Sequence, residues 1–418
     1  MVAALLSLFI APQSIEAELK KHVTALVAPE LEGRLVGSPG LARATTYLVE
    51  QMRGSGAEFF ELPMLPLVRT EWDPSSTTLS VGSVVAPGSA ELVISHPSQT
   101  FSGEGGAVLV RTNGDAPSLD NFRVVTGKIV FILGEFKGRA LRNQVFGANP
   151  LAVFNVTAKP KAELGPWELK DGLRARRLPQ GQITAKQLLA LSQLKAMPST
   201  PVPFNRTLVT PLPGVWKLKY GVQRVDNGLP IPAFVFKGTE AGPPVLVAAG
   251  FDGLGSKSAC AGQALEAATL LTLAKSYGAA KRGPRTVIFA FLPGTASNLD
   301  VAGFLVSGFP APKPTRYFGI EGLGAKGPLE AAPGSLETSA FDALVLSAKE
   351  LGVALPKSPS PFITRTSAFR FAGSRIPSAI LLGPFSESRG TDEDTAESLD
   401  YEQGIKAIQL LTVALQKP

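Results

Sequence analysis

Hydrophobic and polar positions follow three different patterns along the chain. Residues 15–58 place apolar side chains at helical spacing, and the strong breaker at residues 37–40 divides this stretch into two helices. Residues 61–222 contain short β-rich runs bounded by glycine, proline and Asn-Gly turns. From Ile231 onward, apolar runs of strand length alternate with longer helical segments. The patterns predict a helical beginning, a β-rich middle and an α/β end.

The α/β end predicts where a functional site would lie. Residues 244–252 form an apolar run of the kind found in buried central strands, and residues 285–293, 316–324 and 376–384 are predicted as three further strands. Between the first two lies a long predicted helix, residues 261–278, with one apolar face that includes Leu265. Strands and helices in alternation favour a mostly parallel sheet with helices on both faces. Ligands of such sheets bind at the carboxyl ends of the strands, so the following loops should carry the site.

Composition limits the domain number and the partners. A chain of 418 residues is too long for a typical single core, so we expect two domains. Hydrophobic residues make up 44% and charged residues 18%, which excludes global disorder. The net charge is +7, but the densest basic stretch, residues 170–177, contains no aromatic side chain. We therefore expect no nucleic acid partner.

Histidine and cysteine are scarce. The chain contains one cysteine, Cys260, and two histidines, His22 and His96. One cysteine excludes an intrachain disulfide and any multi-cysteine metal site. We interpret His22 as a surface or half-buried helix residue and His96 as structural. Cys260 is interpreted as a small buried thiol, because a cysteine nucleophile would require a histidine partner that neither position offers.

The first residues leave two interpretations open. Residues 1–17 include an apolar run of the length of a signal-peptide core, but they lack a basic start and a clear cleavage site. The segment is either a signal peptide or a buried first element. We favour export, and the protein is therefore expected to be periplasmic or secreted.

Five fragments, in order, resemble one known family. They are "LEGRLVGSPG", "GKIVFILGEF", "VLVAAGFDGLG", "PRTVIFAFLPGTAS" and "GTDEDTAESLD". Together they resemble the zinc aminopeptidase family that includes bacterial leucyl aminopeptidases, glutamate carboxypeptidase and the transferrin receptor ectodomain. The resemblance implies a zinc-peptidase-like α/β domain formed by residues 1–61 and 226–418. It also implies a β-rich protease-associated domain, residues 62–225, inserted between them.

The same resemblance implies a degenerate active site. The family holds two zinc ions with two histidines and three carboxylates, and a further glutamate acts as general base. Gly250 and Gly390 occupy the two histidine positions, and the stretch of the bridging aspartate is occupied by Ala261, Gly262 and Gln263, with Gly262 taken as the equivalent position. The glutamate pair is replaced by Thr295 and Ala296. One carboxylate ligand of the five remains, and we therefore expect no bound metal or other cofactor.

Two carboxylates of the family pattern are retained. Glu321 stands at the position of the fourth ligand, and Asp252 follows the first core strand. Either could be a relic ligand or a catalytic acid or base. The alternatives are a hydrogen-bonded structural carboxylate for Glu321 and a residue that orients a strand-end loop for Asp252. The small, uncharged replacements elsewhere predict a shallow neutral cleft.

Three functions remain open from the sequence. The first is a non-catalytic relative, a pseudopeptidase that binds a protein or peptide partner or serves as a structural subunit, with a membrane complex as one possible setting. The second is an active peptidase or other hydrolase with a rearranged site. The third is a carbohydrate- or surface-binding module that uses the insert. Oligomeric state is not determined by these patterns.

Overall fold

The structure, a computed structural model, divides the chain into two compact units. The first unit comprises residues 1–66 and 228–418, and the second comprises residues 67–227. The predicted boundaries lay at 61/62 and 225/226. The residues that the structure describes are 12–95, 99–113, 119, 122–134, 139–161, 168–169, 178–255, 260–280, 283–297, 299–334, 337–359, 366–384 and 389–417.

A seven-stranded sheet forms the centre of the first unit. Its spatial order is β1-β11-β13-β12-β14-β16-β15. The strands are β1 (Glu58–Phe59), β11 (Ala233–Phe236), β12 (Val245–Gly250), β13 (Val287–Leu292), β14 (Arg316–Glu321), β15 (Glu330–Pro333) and β16 (Ser378–Leu382).

The four inner strands of this sheet are parallel, as the sequence predicted. β12 pairs in parallel with both β13 and β14, and β14 pairs in parallel with β16. The outer strands β1, β11 and β15 pair antiparallel and were not predicted. They are short, and β15 ends in Pro333, a residue that sheets tolerate at an edge. The predicted α/β fold class is confirmed, with a parallel centre and antiparallel edges.

Helices cover this sheet. They are α1 (Pro12–Leu26), α2 (Pro39–Met52), α5 (Ala261–Ala279), α6 (Val301–Gly308), α7 (Ser339–Leu351), α8 (Ser367–Gly373) and α9 (Tyr401–Ala414). Helix α2 begins where the breaker predicted, because the Ser38 hydroxyl accepts a hydrogen bond from Leu41 N–H and Pro39 occupies the first turn.

Helix α5 differs from the prediction of one apolar face. Every residue from Ala261 to Ala274 is buried. The helix packs on β12, β13 and β14 on one side and on α1, α2 and α9 on the other. A helix enclosed on all sides carries apolar residues around its whole circumference. The prediction of a single apolar face therefore underestimated how much of α5 is buried.

The second unit is built on a nine-stranded sheet. Its order is β3-β2-β10-β5-β6-β7-β9-β4, with β8 paired to β2. The strands are β2 (Leu65–Val81), β3 (Val84–Pro87), β4 (Leu92–Ser95), β5 (Phe101–Asn113), β6 (Ile129–Leu133), β7 (Ala152–Val156), β8 (Glu168–Leu169), β9 (Gln180–Ile183) and β10 (Arg206–Leu229), with helices α3 (Arg139–Gly147) and α4 (Ala185–Ser192).

Alternate side chains of β5 enter two apolar cores. Ala107 and Leu109 pack with Phe131 and Trp216, whereas Val108 and Val110 join a second cluster. Because successive side chains of a strand point to opposite faces, the sheet has a core on each side. The stretch is β-rich, as predicted.

Predictions were also made for the two histidines and for the first residues of the chain. His22 is fully buried, so the surface or half-buried interpretation was wrong. Its ring is enclosed by Tyr47 and Glu18, with Nδ1 2.6 Å from the Tyr47 hydroxyl. His96 and residues 170–177 lie outside the described residues, as do residues 1–11 of the predicted signal segment 1–17; the other six belong to α1. Among the described residues, none of the helices combines the length and apolar character needed to cross a bilayer.

Candidate functional site

The carboxyl ends of the parallel strands converge on the start of α5. Gly250 ends β12, Glu321 ends β14, and the loop after β13 contains Thr295 and Ala296. Gly262 lies in the first turn of α5. The sheet topology thus brings residues from distant parts of the sequence to one edge, where an α/β protein places its site.

Asp252 orients the loop after β13. Its carboxylate is fully buried and accepts hydrogen bonds from the Thr295 hydroxyl at 2.9 Å and from the backbone N–H groups of Ala296 and Ser297, each at 3.2 Å. Burial raises the pKa of Asp252, while these hydrogen bonds act in the opposite direction. The geometry fits the loop-orienting interpretation, because all of these donors come from one loop.

Glu321 is engaged by helix α8. The Ser367 backbone N–H donates to Glu321 Oε1 at 2.9 Å, and the Ser367 hydroxyl donates to the same oxygen. The Tyr317 hydroxyl lies 2.6 Å from the Ser367 oxygen, and the Tyr317 ring stacks on Phe371. Burial raises the pKa of Glu321 and the bonds from Ser367 counteract it. The geometry fits the interpretation of Glu321 as a hydrogen-bonded structural carboxylate.

An ion pair that the sequence analysis did not identify occupies the centre of the site. Glu266, on α5, accepts a hydrogen bond from Arg389 Nη2 and a second one from Gly322 N–H at 2.7 Å. The Glu266 side chain is 3% exposed and that of Arg389 is 28% exposed. Burial alone would lower the pKa of Arg389, but Glu266, with Asp394 and Glu321 beyond it, raises it. The expectation of a neutral cleft was wrong, because this pair places a charge of each sign there.

The pair lies between Gly250 and Gly262, two of the three glycines at predicted ligand positions. A Cβ atom on Gly250 would lie 3.4 Å from Glu266 Oε2. A Cβ atom on Gly262 would lie 3.4 Å from Arg389 Nη1. Gly390 follows Arg389 directly in the chain. The carboxylate and the guanidinium therefore lie where side chains from Gly250 and Gly262 would meet, whereas a Cβ atom on Gly390 would lie 2.6 Å from Leu254 Cδ1.

Asp394 fixes the loop that contains Gly390. Its Oδ1 accepts a hydrogen bond from Gly262 N–H at 3.0 Å, and its Oδ2 accepts one from Gly390 N–H at 2.8 Å. Gly390 has a φ of +78°, in the left-handed region that favours glycine. The loop after β16 is thereby tied to the beginning of α5, where a carboxylate also complements the helix dipole.

Arg34, from the "LEGR" motif, holds backbone segments next to the site in place. It is fully buried, and its guanidinium donates to the carbonyl oxygens of Leu26, Phe251 and Cys260, the last two at 2.8 Å. Cys260 is buried, as predicted, and its Sγ accepts a hydrogen bond from Leu254 N–H at 3.1 Å. Arg34 joins the first helices to the strand end that carries Asp252.

A cavity of about 220 Å³ opens beside the ion pair. Charged and polar side chains contribute to its wall together with the glycine-rich loop after β14. Its lining consists of Gly262, Gly322, Leu323, Gly324, Ala325, Lys326, Pro384, Arg389, Asp394, Ser398 and Leu399. Asp252, Thr295, Ala296 and Glu321 are not part of this lining, and of the predicted site only Gly262 and the loop that contains Gly390 contribute to it.

The sequence contained a signal for each missed residue. Glu266 is the only acid in a helix whose residues are otherwise apolar, small or uncharged up to Lys275, and a lone acid in a buried helix requires a partner. Arg389 directly precedes Gly390, the first residue of a fragment that carries the family resemblance. Arg34 is likewise part of a quoted motif, and buried arginines are rare unless paired.

Solved structures share this fold at low sequence identity. The structure matches an aminopeptidase from Aneurinibacillus sp. strain AM-1 with a TM-score of 0.58 at 16% identity, over 96% of this chain and 93% of that chain. It matches BSAP, a zinc aminopeptidase from Bacillus subtilis, with a TM-score of 0.60 at 14% identity, over 96% and 94%. A peptidase M28 precursor from Shewanella amazonensis SB2B matches with a TM-score of 0.50 at 15% identity, over 97% of both chains.

By sequence, no family model and no curated protein matches the chain. The structural matches nevertheless cover both the helical beginning and the α/β end that the motifs predicted. The fold of this chain is that of the zinc aminopeptidases.

Proposed function

We propose that this protein is a non-catalytic relative of the zinc aminopeptidases that binds a protein or peptide partner. The observation that supports this most strongly is the Glu266–Arg389 ion pair between the predicted ligand positions. A guanidinium cannot coordinate a metal, and its positive charge opposes a cation beside it. The zinc aminopeptidase fold supplies the scaffold, and the replaced residues remove the chemistry.

The donor set does not fit two zinc ions. Zinc in proteins is held by cysteine, histidine and carboxylate side chains, and glycines offer none of these at positions 250, 262 and 390. Glu321 Oε1 is already engaged by two donors from Ser367. Among the described residues, no group of three or more His, Cys, Asp or Glu side chains is placed to hold a metal ion.

The proposal is tested by metal content and peptide hydrolysis together. Protein purified without chelators is measured by plasma mass spectrometry and assayed with a library of aminoacyl-nitroanilides. We expect no stoichiometric zinc, no zinc-dependent rise in melting temperature and no turnover, because a ligand bound only by the native state would stabilise it.

The competing function, an active peptidase with a rearranged site, predicts the opposite result. Turnover by the wild-type protein that disappears in Asp252→Ala or Glu321→Ala, but persists in the surface variant Lys349→Ala, would establish it. Turnover that is equal in all of these proteins would identify a contaminating peptidase. Saturable stabilisation by micromolar zinc would also overturn the non-catalytic proposal.

Setting and partner form a further part of the proposal. We propose that the protein works outside the cytoplasm, on the basis of the apolar first residues, and that the β-rich second unit corresponds to the protease-associated domain of the resembling family. Fractionation of cells that produce the full chain tests the location. Affinity capture from membrane and soluble fractions, followed by mass spectrometry, tests for a protein partner. Capture of the same partner by the isolated second unit would favour the third function, a surface-binding module.

A further inference from the structure

Arg389 retains hydrogen-bond donors that face the cavity. A guanidinium has five N–H groups. In the described part of the chain, Arg389 uses them for one hydrogen bond, from Nη2 to Glu266. The side chain lines the cavity, and its exposed fraction of 28% shows that the guanidinium is not sealed inside the protein.

A second cation lies at the same cavity. Lys326 belongs to the glycine-rich loop after β14, lines the cavity and is exposed. Within the described residues it forms no ion pair. The one carboxylate in the lining, Asp394, has both oxygens engaged by backbone N–H groups of Gly262 and Gly390. Arg389 and Lys326 are therefore the charged side chains of this lining that remain for a ligand.

We propose that this cavity binds the carboxylate group of a small organic acid or of a peptide C terminus, with Arg389 and Lys326 as its contacts. The inference rests on the proposed function, since it names the ligand of a site that no longer performs hydrolysis. Planar guanidinium groups match carboxylates in a forked geometry, and Glu266 already holds the Arg389 guanidinium in place.

The size and surroundings of the cavity suit a chain end. A volume of about 220 Å³ accommodates a carboxylate with one short side chain. An open groove of about 830 Å³ shares Lys326 and Leu399 with the cavity and continues along α1 and α9. A ligand whose carboxylate lies at Arg389 can therefore extend past Lys326 into this groove.

The test uses two matched pairs of ligands and the full-length protein. N-acetylalanine is compared with N-acetylalaninamide, and N-acetyl-tetraalanine with its C-terminal amide, by isothermal titration calorimetry. We expect each acid to bind at least tenfold more tightly than its amide. If both acids bind equally, the ligand is a small organic acid. If the tetrapeptide acid binds more tightly, the ligand is a peptide end.

Variants distinguish direct contacts of the ligand with Arg389 and Lys326 from a general effect of the protein's positive charge. Arg389→Lys keeps the ion pair with Glu266 but loses the fork, and we expect about a tenfold loss of affinity for the acids. Lys326→Ala changes an exposed side chain without disturbing the core, and we expect a loss of several fold. Lys349→Ala, on the exposed side of α7, should leave the affinity unchanged.

Equal affinity for acid and amide, no binding at millimolar concentration, or unchanged affinity in both Arg389→Lys and Lys326→Ala would overturn the inference. These results differ from those that would overturn the proposed function. Bound zinc with peptide turnover contradicts the function, whereas a metal-free, inactive protein that ignores the carboxylate contradicts this inference alone.

Discussion

Gly250, at the end of β12, stands at a predicted ligand position, and the effect of restoring a side chain there can be tested directly. A Cβ atom there would lie 2.1 Å from Thr295 Oγ1 and 3.2 Å from Thr295 Cβ. Real Cβ contacts essentially never fall below 3.0 Å, so Gly250→Ala requires Thr295 to move. A histidine at this position, as the family resemblance would have it, meets the same obstruction.

The cost follows from what Thr295 would lose. Moving its hydroxyl breaks the 2.9 Å hydrogen bond to buried Asp252, which costs about 1–3 kcal/mol. Overpacking of a closely packed site adds about 1–3 kcal/mol. We therefore expect Gly250→Ala to lower the free energy of unfolding by about 3 kcal/mol. Gly242→Ala, with no atom within 4 Å of its Cβ position, should change it by less than about 0.5 kcal/mol.

Unfolding in urea should be followed by circular dichroism. All three tryptophans fall between residues 67 and 227, so tryptophan fluorescence would report the second unit rather than the one that carries Gly250. The decisive variant is Gly250→Ala/Thr295→Ala. Because it removes the obstructing hydroxyl, its stability should equal that of Thr295→Ala alone. Additive losses in the double variant, or an unaltered Gly250→Ala, would refute the steric argument.

Three further predictions concern charges in the first unit. Glu266→Gln should lower the free energy of unfolding by about 2–4 kcal/mol because it leaves the Arg389 guanidinium unpaired, and Glu266→Gln/Arg389→Met should recover part of the loss in the same urea assay. Asp394→Ala should cost about 2 kcal/mol, since two backbone N–H groups lose their acceptor; Asp392→Ala, an exposed neighbour, is the control. Burial lowers the pKa of His22 from 6.5 to about 4, so the unfolded chain binds more protons between these values, and stability should fall by about 3 kcal/mol as the pH falls from 6.5 to 4. His22→Gln should reduce the pH dependence of the free energy of unfolding between pH 6.5 and 4. An unchanged pH dependence in this variant would contradict the assignment to His22.

The sequence predicted those helices and strands that are specified by their own residues. The inner strands β12, β13, β14 and β16 are largely apolar runs, and Ser38 with Pro39 marks the start of α2 within a few residues. Motif order then predicted the fold. Edge strands such as β1, two residues long, carry too few positions for any periodicity.

The site was predicted only in part, for a physical reason. The loop positions of Gly250, Gly262 and Gly390 follow from chain order, but the pairing of Glu266 with Arg389 joins residues 123 positions apart. Such a contact depends on how α5 rotates against the sheet, and no local pattern specifies that. A search for unpaired charges inside buried helices would have identified one half of the pair, although not its partner.

The buried Arg34 has a consequence for the order in which the chain folds. Its hydrogen bonds to Phe251 and Cys260 span 217 and 226 residues, and the whole second unit lies between these partners in the chain. At synthesis rates of about 5–20 residues per second, on the order of ten seconds or more separates Arg34 from its acceptors. The second unit, whose residues are contiguous, can close on the ribosome during that interval. The first unit cannot, so helices α1 and α2 leave the ribosome with their apolar faces uncovered until α5 has been made.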